Sequence, residues 1–177
     1  MCKFLQIKCI SLKNLHYISE ILKCYKKYSK YLHDDFVTNE GIEYVLYSMP
    51  YLWAVCDFSG NFMGFVSLDN FIGNGFSNFS AEITTCFHRR AWGSFTKYSA
   101  KFFLKKCFDE FKLYKIKAQV FPDNFRVISL LKSAGFEYET TLPSETLRSG
   151  KLQDIDVYSI KKSYYYNNEE NYYDEQK

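Results

Sequence analysis

Residues 81–121 constrain the fold more than any other part of this chain. They place a β-branched run, AEITTCF, a short basic loop, HRRAWG, an amphipathic helical pattern and a second β-rich run, LYKIKAQVF, in close succession. A strand that returns to its own sheet through a helix needs a crossover, and crossovers of this length join parallel neighbours. The two runs are therefore expected side by side and parallel. The helix is read from about Ser94 to Phe111, with Phe95, Tyr98, Phe102 and Phe103 facing inward and Lys97, Lys101 and Lys105 forming a separate row at four-residue steps.

The flanking segments supply the rest of a sheet. KFLQIKCI reads as a short strand, followed by a helix to about Tyr28 that Ser11 caps and whose apolar stripe is Leu15, Ile18, Leu22 and Tyr25. TNEGIEYVLYSM reads as a shorter helix stopped by Pro50, because proline disfavours helical geometry in the residue before it. LWAVCDFSGNFMGFVSLDNF is a hairpin turning at Ser59-Gly60-Asn61, and IGNGFSNFS is a turn-prone link into AEITTCF. After the central unit, Pro122-Asp123-Asn124 is a turn, FRVISLLKSA a helix closed by Gly135, and FEYETTL and LQDIDVYSI two strands joined through the polar stretch PSETLRSGK.

The order β-α-α-β-β-β-α-β-α-β-β predicts an α/β (α+β) domain. Its central sheet is mixed, mostly antiparallel and of six to seven strands, with about four helices on its faces. At 177 residues and 47% hydrophobic content the chain buries a full core, and one domain over residues 1–160 accounts for it. The remainder, 161–177, is KKSYYYNNEENYYDEQK, a Tyr/Asn/Glu-rich stretch of low complexity expected to be disordered.

Composition narrows the partners. The formal charge of +3 is small and its cations are dispersed, unlike the concentrated basic face that nucleic acid requires. Cys2, Cys9, Cys24, Cys56, Cys86 and Cys107 never fall in a C-x-x-C pair and no His joins them at zinc-site spacing, so no metal is expected. They read as isolated thiols of a reducing, cytoplasmic setting. The start, MCKFLQIKCISLKN, has no apolar stretch of signal-peptide length, and runs such as Tyr44–Cys56 fall short of the ~20 apolar residues of a membrane span.

Six local words then carry a resemblance. They are AEI at Ala81–Ile83, WG at Trp92-Gly93, Ala100 within the helix, VFPDN at Val120–Asn124, AGFEYE at Ala134–Glu139 and GKLQDIDVYSI at Gly150–Ile160. In this order they resemble the GNAT superfamily of acetyl-CoA-dependent N-acetyltransferases, nearest the branch that includes the ribosomal-protein N-terminal acetyltransferases. The match covers about residues 3–160 and implies the GNAT fold. It also implies acetyl transfer from acetyl-CoA to a primary amine, either a protein N-terminus or a small metabolite.

In that family the strands around the central helix splay apart and the pantetheine arm lies between them. The resemblance assigns backbone contacts to Ile83–Cys86, with Phe87 following, and to Ala118–Val120. It assigns the cofactor-binding role to Thr85, Cys86, Phe87, Arg89, Arg90, Trp92, Gly93, Ser94, Phe95 and Asn124, the diphosphate resting on amides at the helix start. The family loop reads Q/R-x-x-G-x-G/A. Here it departs, because aligning on either Trp92-Gly93 or Arg90-x-x-Gly93 puts bulky Phe95 where a small residue belongs.

Glu82, on the strand before the loop, is the catalytic base by resemblance, acting through water; an exposed strand carboxylate is the alternative. The Tyr that protonates the leaving thiolate in many relatives is replaced by Leu131, which a thiol of pKa ~8.5 tolerates. His88 is a second possible base or a residue of the loop, Asp154 orients the last hairpin, and Cys86 is a conceivable acyl carrier or a small core residue. Tyr31, His33, Asp34, Asp35 and Glu145 are the polar candidates on the acceptor side. A different function also fits: the words AWG and RSGKLQD look like GNAT-like bacteriophage proteins, some of which are catalytically inactive structural or assembly components.

Overall fold

The computed structural model describes residues 2–7, 12–32, 51–74 and 77–166. The elements are β1 (Cys2–Gln6), α1 (Leu12–Tyr28), β2 (Tyr51–Asp57), β3 (Phe62–Asn74) and β4 (Ser77–Phe87), then α2 (Ser94–Asp109), β5 (Lys115–Val120), α3 (Phe125–Ser133), β6 (Glu137–Arg148) and β7 (Lys151–Lys161). The strands form one sheet in the order β1-β2-β3-β4-β5-β7-β6. Every neighbouring pair is antiparallel except β4 and β5, the parallel pair that the crossover demands. The helix expected over TNEGIEYVLYSM, the Ser11 cap, and His33, Asp34 and Asp35 lie outside the described residues.

Both faces of the sheet are covered. On one, Trp53, Val66, Leu68, Ile116 and Ile160 pack with Phe103, Leu104 and Phe108 of α2; on the other, Leu52, Ala54 and Phe65 pack with Ile18, Ile21 and Tyr25 of α1. β2 contributes alternate residues to each core, which is why LWAVC is an unbroken apolar run.

α2 presents a different face from the one its aromatics suggest. Tyr98 and Phe102 are 45% and 51% exposed, whereas Thr96, Ser99, Phe103, Leu104, Cys107 and Phe108 are buried. The stripe is rotated because small residues let the first turns of the helix approach the sheet closely. Their hydroxyls are satisfied locally, Thr96 Oγ1 donating to the Ala91 carbonyl at 2.6 Å and Ser99 Oγ to the Thr96 carbonyl at 3.0 Å. Phe102 instead stacks between Phe4 and Tyr98.

Two stretches read as links are strand. Most of IGNGFSNFS continues β3 to Asn74 and opens β4 at Ser77, with register shifts between Asp69 and Gly73 that absorb Asn70 at φ 45°. PSETLRSGK extends β6 to Arg148. A shift between Leu142 and Thr146 accommodates Pro143, and the turn is only Ser149-Gly150, both at positive φ as a tight hairpin turn requires. The low-complexity tail also begins in order, since 162–166 is helical and Tyr165, 5% exposed, donates its hydroxyl to the Lys101 carbonyl at 3.1 Å. Tyr166 bonds Asp109 beside it. Two tyrosines thus dock the chain beyond β7 on α2, a role that aromatic surface performs without any aliphatic residue.

Candidate active site

The parallel ladder between β4 and β5 is three residues long: Ser80 faces Lys115, Ala81 faces Ile116 and Glu82 faces Lys117. Beyond Glu82, β4 stays on β3 while β5 stays on β7, and no rung joins Ile83–Phe87 to Ala118–Val120. A sheet that opens in its middle exposes two strand edges whose amides and carbonyls need partners. An extended ligand with amide groups can supply them as an added strand does.

Gly64 permits the opening. A β-carbon there would lie 2.4 Å from the Cys86 carbonyl oxygen and 2.8 Å from the Phe87 Cα, so its absence lets the end of β4 lean onto β3 and away from β5. The resulting cleft has a volume of about 880 Å³, the size of a site for a sizeable organic ligand.

The mouth is formed by the loop before α2. A single turn of 3-10 helix, Arg89–Ala91, leads through Trp92 to Gly93, which stands at φ 99° with nothing near its missing β-carbon. Glycine is therefore needed for conformation, not for space. The first helical hydrogen bond runs from the Lys97 amide to the Gly93 carbonyl, and Gly93 offers no side-chain cap. The amides of Ser94, Phe95 and Thr96 thus stand ahead of the helical ladder, where an anion is favoured.

Of the residues expected to hold the cofactor, Thr85, Cys86, Phe87, Trp92, Gly93 and Asn124 line this cleft; Arg89, Arg90, Ser94 and Phe95 do not. Phe95 turns its ring into the α2-side core, so the bulk that departs from the family loop is spent on packing and leaves the mouth open. Arg90 donates to the Phe62 carbonyl at 2.5 Å and Arg89 is exposed. Asn124 caps α3, its Oδ1 accepting from the Val127 amide at 3.5 Å, and remains on the cleft wall. Leu131, at the family's acid position, is buried on the same wall.

Glu82 sits where the two strands part. It is 7% exposed and accepts hydrogen bonds from Asn70 Nδ2 at 3.2 Å and Gln119 Nε2 at 3.0 Å. Its burial rules out the exposed-carboxylate alternative, and its face follows from its neighbours, because Ala81 and Ile83 belong to the α2-side core while Cys86 belongs to the α1 side. Glu82 is therefore on the α1 face.

The remaining candidates have partners within the fold. Cys86 Sγ lies 3.6 Å from Cys24 Sγ of α1, and that hydrogen bond together with burial pushes its thiol up, which disfavours the thiolate. His88 packs edge-on against Tyr28 and Phe62, with its pKa lowered by burial and by Arg90 and Lys27. Asp154 accepts from the Ser144 amide at 2.8 Å, which ties β6 to β7 as expected of a hairpin residue. Lys97 and Arg126 line the cleft but were not among the expected ligands. Their signal was positional: each falls in the first turn of a helix that begins at the mouth. Among the described residues no three His, Cys, Asp or Glu converge as metal ligands, and no helix is long and apolar enough to cross a membrane.

Comparison with known proteins gives the same picture. Residues 19–137 match the model of the acetyltransferase (GNAT) domain. No curated protein matches the chain. Among solved structures, it is similar to a Vibrio cholerae spermidine N-acetyltransferase in complex with CoA and spermine, with a TM-score of 0.75 at 21% identity over 93% of this chain and 98% of that one. It is also similar to a protein described as a phosphinothricin N-acetyltransferase, with a TM-score of 0.69 at 16% identity over 91% and 98% of the two chains. At these identities the likeness is one of fold.

Proposed function

Because the chain belongs to the GNAT acetyltransferase family, we propose that it is an acetyl-CoA-dependent N-acetyltransferase acting on a primary amine. The observation that carries this is the parting of β4 and β5 beyond Glu82, with uncapped helix amides at the mouth of the gap. Acetyl-CoA supplies the activated acetyl group. Residues 83–86 and Ala118–Val120 would hold the amide-bearing arm along the strand edges that part beyond Glu82, and the Ser94, Phe95 and Thr96 amides would take the diphosphate.

Glu82 is the residue at the apex of the wedge, on the face opposite α2. A carboxylate there attracts a protonated amine and accepts its proton, directly or through water, so that the nitrogen can attack. Asn70 and Gln119 orient it by donating to it. The thiolate needs no acid from Leu131, since a thiol of pKa ~8.5 leaves readily.

A small cationic amine is the acceptor we favour. It is supported by a carboxylate as the buried charge of this face, and by spermine in the similar Vibrio cholerae complex. The words shared with the ribosomal-protein branch support a protein N-terminal amine instead. A second reading, an inactive GNAT-fold component of an assembly such as a phage particle, draws on the AWG and RSGKLQD words and on loop arginines that do not line the cleft. Localisation in a reducing cytoplasm is favoured by six cysteines that never fall in a C-x-x-C pair.

Calorimetric titration with acetyl-CoA tests the reading, followed by thiol release across a panel of polyamines, amino acids and peptides. Saturable heat and amine-dependent thiol release are expected. No heat and no thermal shift at millimolar acetyl-CoA would overturn the enzyme, and binding without release from any amine would favour the inactive component.

A further inference from the structure

Two cations occupy the mouth of the cleft that the loop arginines leave. Lys97 lies in the first turn of α2 and Arg126 in the first turn of α3, and both line the cavity. Neither forms an ion pair among the described residues. Asp123, the acidic side chain nearest Arg126 in sequence, is already engaged, since Arg148 Nη1 donates to both its oxygens at 2.9 Å.

The Arg126 guanidinium rests 4.6 Å from the centre of the Trp92 ring. That indole is itself fixed, its Nε1 donating to the Phe87 carbonyl at 3.1 Å. Trp92 and the neighbouring Phe125 keep large apolar surfaces exposed at the same place. A guanidinium over an aromatic ring keeps N–H donors that match a phosphate dianion, while ring surface beside it accepts a nucleobase.

We propose that Arg126, positioned by Trp92, binds the 3′-phosphate at the nucleoside end of CoA, and that Lys97 supports the diphosphate above the α2 amides. This rests on the reading that the cleft takes CoA, and goes beyond it by making the protein selective for the 3′-phosphorylated nucleotide. Selectivity of this kind is separable from affinity for the arm, because CoA and its 3′-dephospho form carry the same pantetheine and diphosphate.

The test is calorimetric titration of the full chain with CoA and with 3′-dephospho-CoA, for the wild type, Arg126→Gln and Lys97→Gln. The wild type is expected to prefer CoA by about tenfold, the scale of one charge-assisted contact. Arg126→Gln should erase the preference by weakening CoA alone. Lys97→Gln should weaken both ligands equally and keep the preference. Both side chains are exposed, and an unchanged melting temperature would verify that the variants fold. Equal wild-type affinity for the two ligands, a preference that survives Arg126→Gln, or one lost in Lys97→Gln instead, overturns the assignment while leaving CoA binding intact. Failure of both ligands to bind the wild type overturns the CoA reading and this inference together.

Discussion

The two faces of the central sheet are made by the same strands and bury different things. Toward α2, the buried residues that β2 to β5 present are apolar, among them Trp53, Val55, Val66, Leu68, Ala81 and Ile116. Toward α1 the apolar residues Leu52, Ala54 and Phe65 give way along the same strands to Ser67, Glu82 and Thr84, all buried. Burial of polar groups costs stability unless they are paired, so a fold that needed only to pack would not place them there. One face holds the molecule together, and the other spends stability on a polar wall behind the cleft.

The largest effect that would break this contrast lies in the apolar face. Phe103 is 2% exposed, with ring centres 5.1 Å from both Phe4 and Trp53. Phe103→Ala should cost about 3–5 kcal/mol in urea unfolding, as the deletion of a well-packed ring does. A loss below about 1 kcal/mol would mean that this core is not the main source of stability.

On the polar face the same measurement should move little while activity moves much. Glu82→Gln keeps the shape and the bond to Asn70, yet removes the charge and the proton acceptor. Turnover should fall about a hundredfold or more with little change in unfolding midpoint. Full turnover across pH 6 to 9 would exclude Glu82 as the base. Gly64→Ala acts between the faces: its β-carbon meets the backbone of Cys86 and Phe87, so a destabilisation of about 1–3 kcal/mol and weaker CoA binding are expected together. If stability falls and binding does not, the lean of β4 is unrelated to the opening.

Smaller still is Ser67→Ala. Its Oγ is fully buried and has no partner among the described residues. Deleting an unsatisfied hydroxyl should change stability by about zero, or raise it by up to ~1 kcal/mol. A loss well beyond that would reveal a partner for the hydroxyl and a better-satisfied wall.

The contrast explains which parts of the molecule were legible in the sequence. The succession of strands along the chain and the parallel pair followed from local periodicity and crossover geometry, which depend on short stretches. The face of α2 did not, because two stripes overlap in SFTKYSAKFFLKKCFD and only the sheet beneath decides that Thr96 and Ser99 go inward while Phe102 stays out. Pairing likewise overrode composition in IGNGFSNFS and PSETLRSGK, where ladder bonds make strand of turn-prone residues. At the site, Gly93 and Asn124 were readable as backbone devices. Phe95 and Arg90 were not, since their directions depend on a core and a carbonyl supplied by distant segments.

The smallest effect is a pH dependence at the seam beside the α1 face. His88 follows β4, its amide bonded to the Met63 carbonyl at 2.9 Å, and its imidazole meets Tyr28 and Phe62. Burial first, then Arg90 and Lys27, lower its pKa, with Glu20 opposing. The unfolded chain protonates this group near pH ~6.5 and the folded chain only below that, so the unfolded state binds more protons in the interval. The contribution of His88 is therefore complete above pH ~6.5 and is lost as pH falls through the folded value. Melting temperatures from about pH 8 to about pH 5 should show the wild type losing more than His88→Gln on the acid side. Parallel curves would remove His88 from the titration and leave it a purely apolar spacer between α1 and the loop.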